Sequence, residues 1–256
     1  MANELEITNV IGTPCLNTSH RELLTMLEER VCGKDQLLTV DFTNVHITAA
    51  RRVEKDFHEI TEQYDFFVPD SQVLKWAVNL CGGSMQDRVY GPDFLNYGIH
   101  HTSKKTKHYF LGASQDCLDK LMANSKEWNS DFQIVGSHNG YFKPEDEECI
   151  AKDINACDPD FIWVGLGTPK QQEWIARNRS HITRGVMLAV GFAFDVNAGT
   201  KKDAPQWMQP LGLTWFYRLC SEPGRLWWRY LKYNSIFVFY LLLQVLLGFE
   251  ATVKVK

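Results

Sequence analysis

The chain has 256 residues, 45% of them hydrophobic and 23% charged. That size and composition suit one globular α/β or large β unit with at most a small appendage, and exclude a disordered or collagen-like chain. Lys and Arg number 27 against 31 Asp and Glu, a net charge of −4, so no chain-wide positive field draws in nucleic acid and any basic surface is local.

The N-terminal stretch MANELEITNVIG lacks the basic region and apolar run of a secretory signal, which points to the cytoplasm. Beyond it, short apolar runs rich in β-branched and aromatic residues alternate with longer amphipathic ones. Residues 37–42, 64–68, 108–111, 132–135, 161–164 and 186–190 read as buried strands. Between them, 47–62, 71–81, 92–102, 114–125, 144–156 and 170–178 read as helices. The fifth opens on Pro144 followed by Glu145, Asp146, Glu147 and Glu148, which suit a helix N-terminus. This alternation predicts an α/β fold with a mostly parallel six-stranded sheet. Seven cysteines (Cys15, Cys32, Cys81, Cys117, Cys149, Cys157, Cys220) include no CxxC pair and read as free thiols of a reducing compartment.

Near Asp203 the character changes, dividing the chain into 1–202 and a C-terminal segment, 203–256, crowded with Trp, Tyr and Arg. Arg218, Arg225, Arg229 and Lys232 are spaced by 7, 4 and 3 residues and would share one face of a helix, although Pro223-Gly224 splits the segment into two. One reading is a helical pair docked on the sheet with a solvated basic face; the other is a surface for anionic lipid or phosphate. The apolar run 236–249, interrupted by Gln244 and Gly248, is shorter than the roughly 20 residues that cross a bilayer, so it is expected to lie on a membrane rather than span it.

In doubly wound sheets, ligands bind beyond the carboxyl ends of the strands. Five loops there carry candidates: Thr43, Asn44 and His46; Asp70; Gly112; Gly165, Gly167, Lys170 and Gln171; and Asp195. Gly165 and Gly167 would let the backbone approach a phosphate, or simply make a tight turn. Neither GxGxxG nor GxxxxGK[ST] is present. Asp70 is either a helix N-cap or a carboxylate placed to accept a proton. His46 is either a hydrogen-bonded core histidine or a group reaching a sugar hydroxyl or phosphate. No Asp-x-Asp lies at the carboxyl end of a predicted strand, so no metal and no cofactor is implied; if the reaction makes a diphosphate leaving group, its charge falls to cationic side chains and helix termini.

Six segments in order, Val68-Pro-Asp70, Arg88-Val-Tyr-Gly-Pro-Asp93, Val164-Gly-Leu-Gly-Thr-Pro-Lys-Gln171, Gly191-Phe-Ala-Phe-Asp195, Ala204-Pro-Gln-Trp-Met208 and Trp215-Phe-Tyr-Arg-Leu-Cys-Ser-Glu-Pro223, resemble the WecG/TagA/CpsF glycosyltransferases (glycosyltransferase family 26). The likeness runs from about Val10 to Leu243, in a branch that reads Asn-Val-His after the first strand. It implies a Rossmann-like sheet with a C-terminal membrane-associating appendage. The implied reaction is inverting, metal-independent transfer of a sugar of N-acetylmannosamine, N-acetylmannosaminuronic acid or glucose type. The donor is a UDP-sugar and the acceptor a polyprenyl-diphosphate-linked saccharide, in surface or exopolysaccharide synthesis. By motif, Asp70 is the base that deprotonates the acceptor hydroxyl. Arg88 and Gln171 are substrate-site residues, Thr43 and Asn44 belong to the sugar-holding loop, and Arg218, Arg225 and Arg229 contact the diphosphate. Ser71 stands where the family usually has Gly, and Gly224 and Trp228 stand where many relatives have arginines.

Those replacements motivate an alternative, a catalytically silent UDP-binding scaffold of a membrane polysaccharide assembly. On either reading the partners are a UDP-sugar, the lipid-linked saccharide and the inner face of the plasma membrane, with a homo-oligomer left open by the exposed apolar residues.

Overall fold

The computed structural model describes residues 5–248. Among them, eight strands form one sheet: β1 (Ile7–Val10), β2 (Thr13–Leu16), β3 (Leu37–Thr43), β4 (Phe66–Pro69), β5 (Lys107–Gly112), β6 (Gln133–His138), β7 (Phe161–Gly165) and β8 (Gly185–Ala189), in the order β1-β2-β4-β3-β8-β7-β5-β6. Every pairing is parallel except β1 with β2. The six strands expected from the sequence are present within two to three residues at their ends.

The two additional strands form an N-terminal hairpin joined by Ile11 and Gly12, both at positive φ (45° and 96°). Such a two-residue turn matches the right-handed twist of its strands, and Ile-Gly between two short runs is its only local signal.

Among the described residues there are eleven α-helices, eight between strands and three after β8: α1 (His20–Val31), α2 (Val45–Val53), α3 (Lys55–Thr61), α4 (Gln72–Leu80), α5 (Gly91–His101), α6 (Gln115–Trp128), α7 (Glu147–Cys157), α8 (Lys170–Asn178), α9 (Ala193–Asn197), α10 (Thr214–Ser221) and α11 (Pro223–Leu247). The single helix predicted over 47–62 is two, because Glu54 is extended (φ −109°, ψ 103°) and ends α2 before α3 begins. Pro144–Asp146 form a 3-10 turn that leads into α7.

Alternation along the strands divides the core between two faces. Leu38, Val40, Phe42, Val68, Phe110, Trp163 and Leu188 pack on one side, and Phe67, Tyr109, Leu111, Ile162, Val164 and Met187 on the other. Helices cover both, so the central strands are apolar on both faces. β3 departs from this: Thr39, Asp41 and Thr43, two residues apart, place buried polar groups on its second face.

The chain moves outward from β3 to β4, crosses to β5 and β6, and returns through β7 and β8. Reversals of this kind leave a crevice at the carboxyl ends of the strands. α10 and α11 lie over it. α11 packs along α2, with Phe237 buried and Arg52 over the Tyr240 ring at 4.9 Å. Gln244 holds the α11 C-terminal half to the β1–β2 turn, accepting from Ile11 N at 2.7 Å and donating to Asn9 O at 2.8 Å. α11 is long and apolar enough to cross a membrane by length and composition, unlike the shorter run read from the sequence, whose last residue, Phe249, lies outside the described residues. The helix is instead tied along the body. Its outward face exposes Trp227, Trp228, Leu231, Val238, Phe239, Leu242 and Leu246.

Candidate active site

Loops after β3, β4, β7 and β8, together with α10 and α11, enclose a cleft of about 590 Å³. Asp70 follows β4 directly. Its amide donates to Thr43 O at 2.8 Å, extending the β3–β4 ladder, and its Oδ1 accepts from Gly91 N, the start of α5, at 2.6 Å. The N-cap of α4 is Ser71, whose Oγ accepts from Leu74 N at 3.2 Å. Asp70 is therefore not spent as a cap. Burial pushes its carboxyl up to about 6, against the pull of the Gly91 N–H and of the Arg88 and Arg218 guanidiniums, while the Asp41 carboxylate adds to the rise. A carboxylate ionised above pH 6 and weakly solvated is suited to accept a proton.

β3 runs into α2, whose N-cap is Asn44: its Oδ1 accepts from His46 N at 3.0 Å and Ile47 N at 3.2 Å. Capping takes that oxygen, and the side chain still lines the cleft. His46 lines it as well, edge-on to Tyr233 with centroids 4.3 Å apart. Burial first, then the Arg229 charge, lowers its pKa to about 4. At neutral pH the imidazole is uncharged and can exchange a hydrogen bond with a hydroxyl but cannot neutralise a phosphate.

Thr43, expected in the sugar-holding loop, does not reach the cleft. It is fully buried on the opposite sheet face, where its Oγ1 donates to Asp41 Oδ1 at 2.5 Å. Period-two alternation puts Thr43 and Asp41 on one side and sends Phe42 to the cleft side. Asp41 Oδ2 accepts from Gln172 Nε2 at 2.7 Å.

The β7–α8 loop contributes Gly167, Lys170 and Gln171. Gln171 is 3% exposed, and its Oε1 accepts from Gly167 N at 3.0 Å. Lys170 donates to Gly140 O at 2.8 Å and sits over the Phe142 ring at 4.6 Å. Gly165 and Gly112 serve packing. A Cβ on Gly165 would lie 2.7 Å from the Phe194 ring, and one on Gly112 would strike the Gly165 backbone. Gly112, another expected ligand residue, lines neither cavity of the site.

Arg218, Arg225 and Arg229 converge on the cleft from two helices rather than from one helical face, since α10 ends before Pro223. Arg218 lies over the Phe192 ring at 4.4 Å, and Arg225 Nε donates to Glu222 at 2.5 Å. Arg229 Nε is buried without a hydrogen-bond partner among the described residues, as is Oγ1 of Thr214, which also lines the cleft. Burial and the Arg225 and Arg218 charges lower the pKa of Arg229. Three guanidiniums, one of them paired with Glu222 and one with a buried donor that has no partner among the described residues, give this side of the cleft a positive lining.

A second cavity of about 840 Å³ adjoins the first above β5, β6 and β7 and shares Gly167, Lys170, Phe192, Arg218 and Arg225 with it. Tyr141, 82% exposed, and Phe142 stand at its side, with Lys143, Asp195 and Lys201 around it. Asp195 accepts from Thr200 Oγ1 at 3.0 Å.

Asp70, Asn44, His46, Arg88, Gly167, Lys170, Gln171, Arg218, Arg225 and Arg229 thus meet in the first cleft, and Gly165 and Asp195 line the second. Sequence reading missed Tyr90, Phe192, Thr214, Tyr230 and Asn234 in the first and Tyr141, Phe142 and Lys201 in the second. Asn139-Gly140, a turn dipeptide after a strand, is the signal that marks the β6 loop. Among the described residues, no group of three or more His, Cys, Asp or Glu is placed to hold a metal ion.

The model of the glycosyl transferase WecG/TagA/CpsF family matches residues 8–250. An N-acetylglucosaminyldiphosphoundecaprenol N-acetyl-beta-D-mannosaminyltransferase of Bacillus subtilis (strain 168) is 28% identical over 233 residues, covering 91% of this chain and 89% of its own. The protein of the same description from Bacillus spizizenii (strain ATCC 23059 / NRRL B-14472 / W23) is 30% identical over 174 residues, 68% of this chain and 66% of its own. With the match spanning sheet, cleft and C-terminal helices alike, this chain is a glycosyltransferase of the WecG/TagA/CpsF family.

Proposed function

We propose that the protein transfers a sugar from a UDP-sugar to a polyprenyl-diphosphate-linked saccharide by one inverting displacement without a metal. The observation that carries this reading is the placement of Asp70: one oxygen held by Gly91 N, the residue lining a cleft whose other wall is Arg218, Arg225 and Arg229. A sugar hydroxyl ionises far above neutral pH, so its attack needs a base in reach. A departing nucleoside diphosphate needs its charge met, and guanidiniums are suited to that task. One carboxylate suffices for a single displacement. The donor nucleotide is assigned to the second cavity, where the Tyr141 and Phe142 rings offer stacking faces, Asp195 an acceptor for ribose hydroxyls, and Lys170, Lys201, Arg218 and Arg225 a path of positive charge toward the first cleft.

The acceptor follows from the relatives' printed description and from α11. Its exposed aromatic and aliphatic face suits the headgroup boundary, and its cationic face turns to the cleft. Its attachment along α2 favours a helix lying on the membrane surface with the catalytic body beneath, at the inner face of the plasma membrane. On this reading 1–202 is the Rossmann-like transferase domain, and the appendage 203–256 faces the lipid while lending Arg218, Arg225 and Arg229 to the site.

The test measures UDP release from a panel of UDP-sugars with detergent-dispersed polyprenyl-diphosphate-linked N-acetylglucosamine or glucose, with and without EDTA, for wild type and Asp70→Asn. Release with one donor that survives EDTA and is lost in the variant, with an inverted anomeric centre by NMR, is the expected result. Release abolished by EDTA, or retained in Asp70→Asn, overturns the mechanism.

A further inference from the structure

The turn that carries Arg88 is gripped from its far side by the segment leading into the C-terminal helices. Arg88 Nη2 donates to Gln209 Oε1 at 2.8 Å. Gln209 Nε2 donates to Ala204 O at 3.0 Å and to Asp203 Oδ2 at 3.2 Å. Asp203 Oδ1 in turn accepts from the Tyr90 hydroxyl at 2.8 Å and from Ala204 N at 2.7 Å. The Arg88 guanidinium lies over the Tyr90 ring at 4.1 Å. Arg88 and Tyr90 are buried, and both line the cleft.

Donor and acceptor chemistry gives this chain of contacts a single direction. A carboxylate and a carbonyl only accept, so the Gln209 amide must turn its NH2 toward Asp203 and Ala204. Its oxygen then faces Arg88, a cation that only donates. A flipped amide would set donor against donor at one end and acceptor against acceptor at the other.

Tyr90 is also the N-cap of α5, and the next residue, Gly91, donates to Asp70. Two influences on Asp70, the Gly91 N–H and the Arg88 charge, therefore reside in a four-residue turn whose outer side is held by Asp203 and Gln209. Among the other groups facing Asp70, the Tyr90 hydroxyl belongs to the same turn, while Arg218 comes from α10 and Asp41 from β3.

We infer that Gln209, oriented by Asp203, is a positioning residue that holds Arg88 and the 88–91 turn against Asp70, a role that rests on Asp70 being the base. Because residues 203–209 lead directly into α10, the same contacts tie the seating of the C-terminal helices to the geometry of the carboxylate.

The experiment compares full-length wild type, Gln209→Met, Asp203→Asn, Arg88→Met and the Gln209→Met/Arg88→Met double variant, reading kcat, donor KM and kcat/KM from pH 5 to 9. Methionine keeps the length of the side chain and removes all three of its hydrogen bonds. Gln209→Met should lower kcat about tenfold with donor KM within about twofold. It should also move the acid limb of kcat/KM upward by about half a pH unit, as Arg88 loses its hold beside the carboxyl. Asp203→Asn, which sets an NH2 against the Gln209 NH2, should move the limb the same way. In the Arg88→Met background, Gln209→Met should cost less than about twofold, because the two side chains act as one unit.

An acid limb that stays in place while activity falls, or the full tenfold cost persisting without Arg88, overturns the positioning role. If Gln209→Met does not fold, Asp203→Asn carries the same cycle with Arg88→Met. Transfer retained by Asp70→Asn overturns the base itself. An inactive Asp70→Asn with an additive Gln209–Arg88 cycle overturns the positioning alone.

Discussion

Asp70→Asn should make the folded protein more stable at neutral pH while it abolishes transfer. Burial raises the carboxyl from its ordinary 3.8 to about 6, so the folded state holds this proton in a range where the unfolded chain has lost it. At about 1.4 kcal/mol for each tenfold change in proton affinity, ionising Asp70 in the folded protein costs at most roughly 3 kcal/mol. Access of water to the cleft reduces this to about 1–2 kcal/mol. The sign follows from linkage: stability from this group is present below about pH 4, falls as the pH rises through about 6, and is flat above. Asparagine keeps an oxygen for the Gly91 N–H and carries no charge to desolvate. Thermal melts at pH 7.5 should place the variant about 2–8 °C above wild type, using about 2–4 °C per kcal/mol for a chain of this size. Near pH 4, where Asp70 is protonated in the folded wild type, the gap should shrink to a small fraction. A variant melting at or below wild type at pH 7.5, or a gap of the same size at both pH values, would refute a buried, charge-penalised carboxylate.

The Arg229 guanidinium has a buried Nε with no partner among the described residues, and it depresses the His46 pKa. Arg229→Gln should reduce transfer about 100-fold through lost charge at the leaving group, and NMR titration should find His46 above about 4 but still below its ordinary 6.5, because burial remains. Gly165→Ala would set a methyl 2.7 Å from Phe194; urea unfolding should show a loss of about 1–3 kcal/mol, and an unchanged midpoint would contradict the close packing of β7 on α9. Gln244→Ala leaves the Ile11 amide without its acceptor and should cost about 1–2 kcal/mol. Amide exchange should quicken along α11 and the β1–β2 turn while β3 and β8 stay protected; uniform quickening would mean the helix is held elsewhere. The acid limb of kcat/KM should fall near pH 6, with activity lost as Asp70 gains its proton.

Local physics accounts for what was legible in the chain. Short apolar runs bounded by turns mark six of the eight strands because strands buried on both faces have no polar register to hide them, and the parallel topology then sends Asp70, Asn44, Gly167 and Gln171 to one edge of the sheet without further information. The hairpin, the break at Glu54 and the five-residue α9 are shorter than the periodicities that announce an element. The inward turn of Thr43 follows from its two-residue spacing to Asp41, but only once the β3 register is known.

By itself, the amino-acid sequence determined the α/β architecture, the candidate base after β4 and the store of cations at the C-terminal end. The tertiary structure alone decided that Arg218, Arg225 and Arg229 meet over the cleft, that the loop after β6 builds a second cavity beside it, and that Gln209 reaches back 121 residues to Arg88. These are contacts between segments distant in sequence, set by how helices seat on the sheet, and no spacing within either segment encodes them.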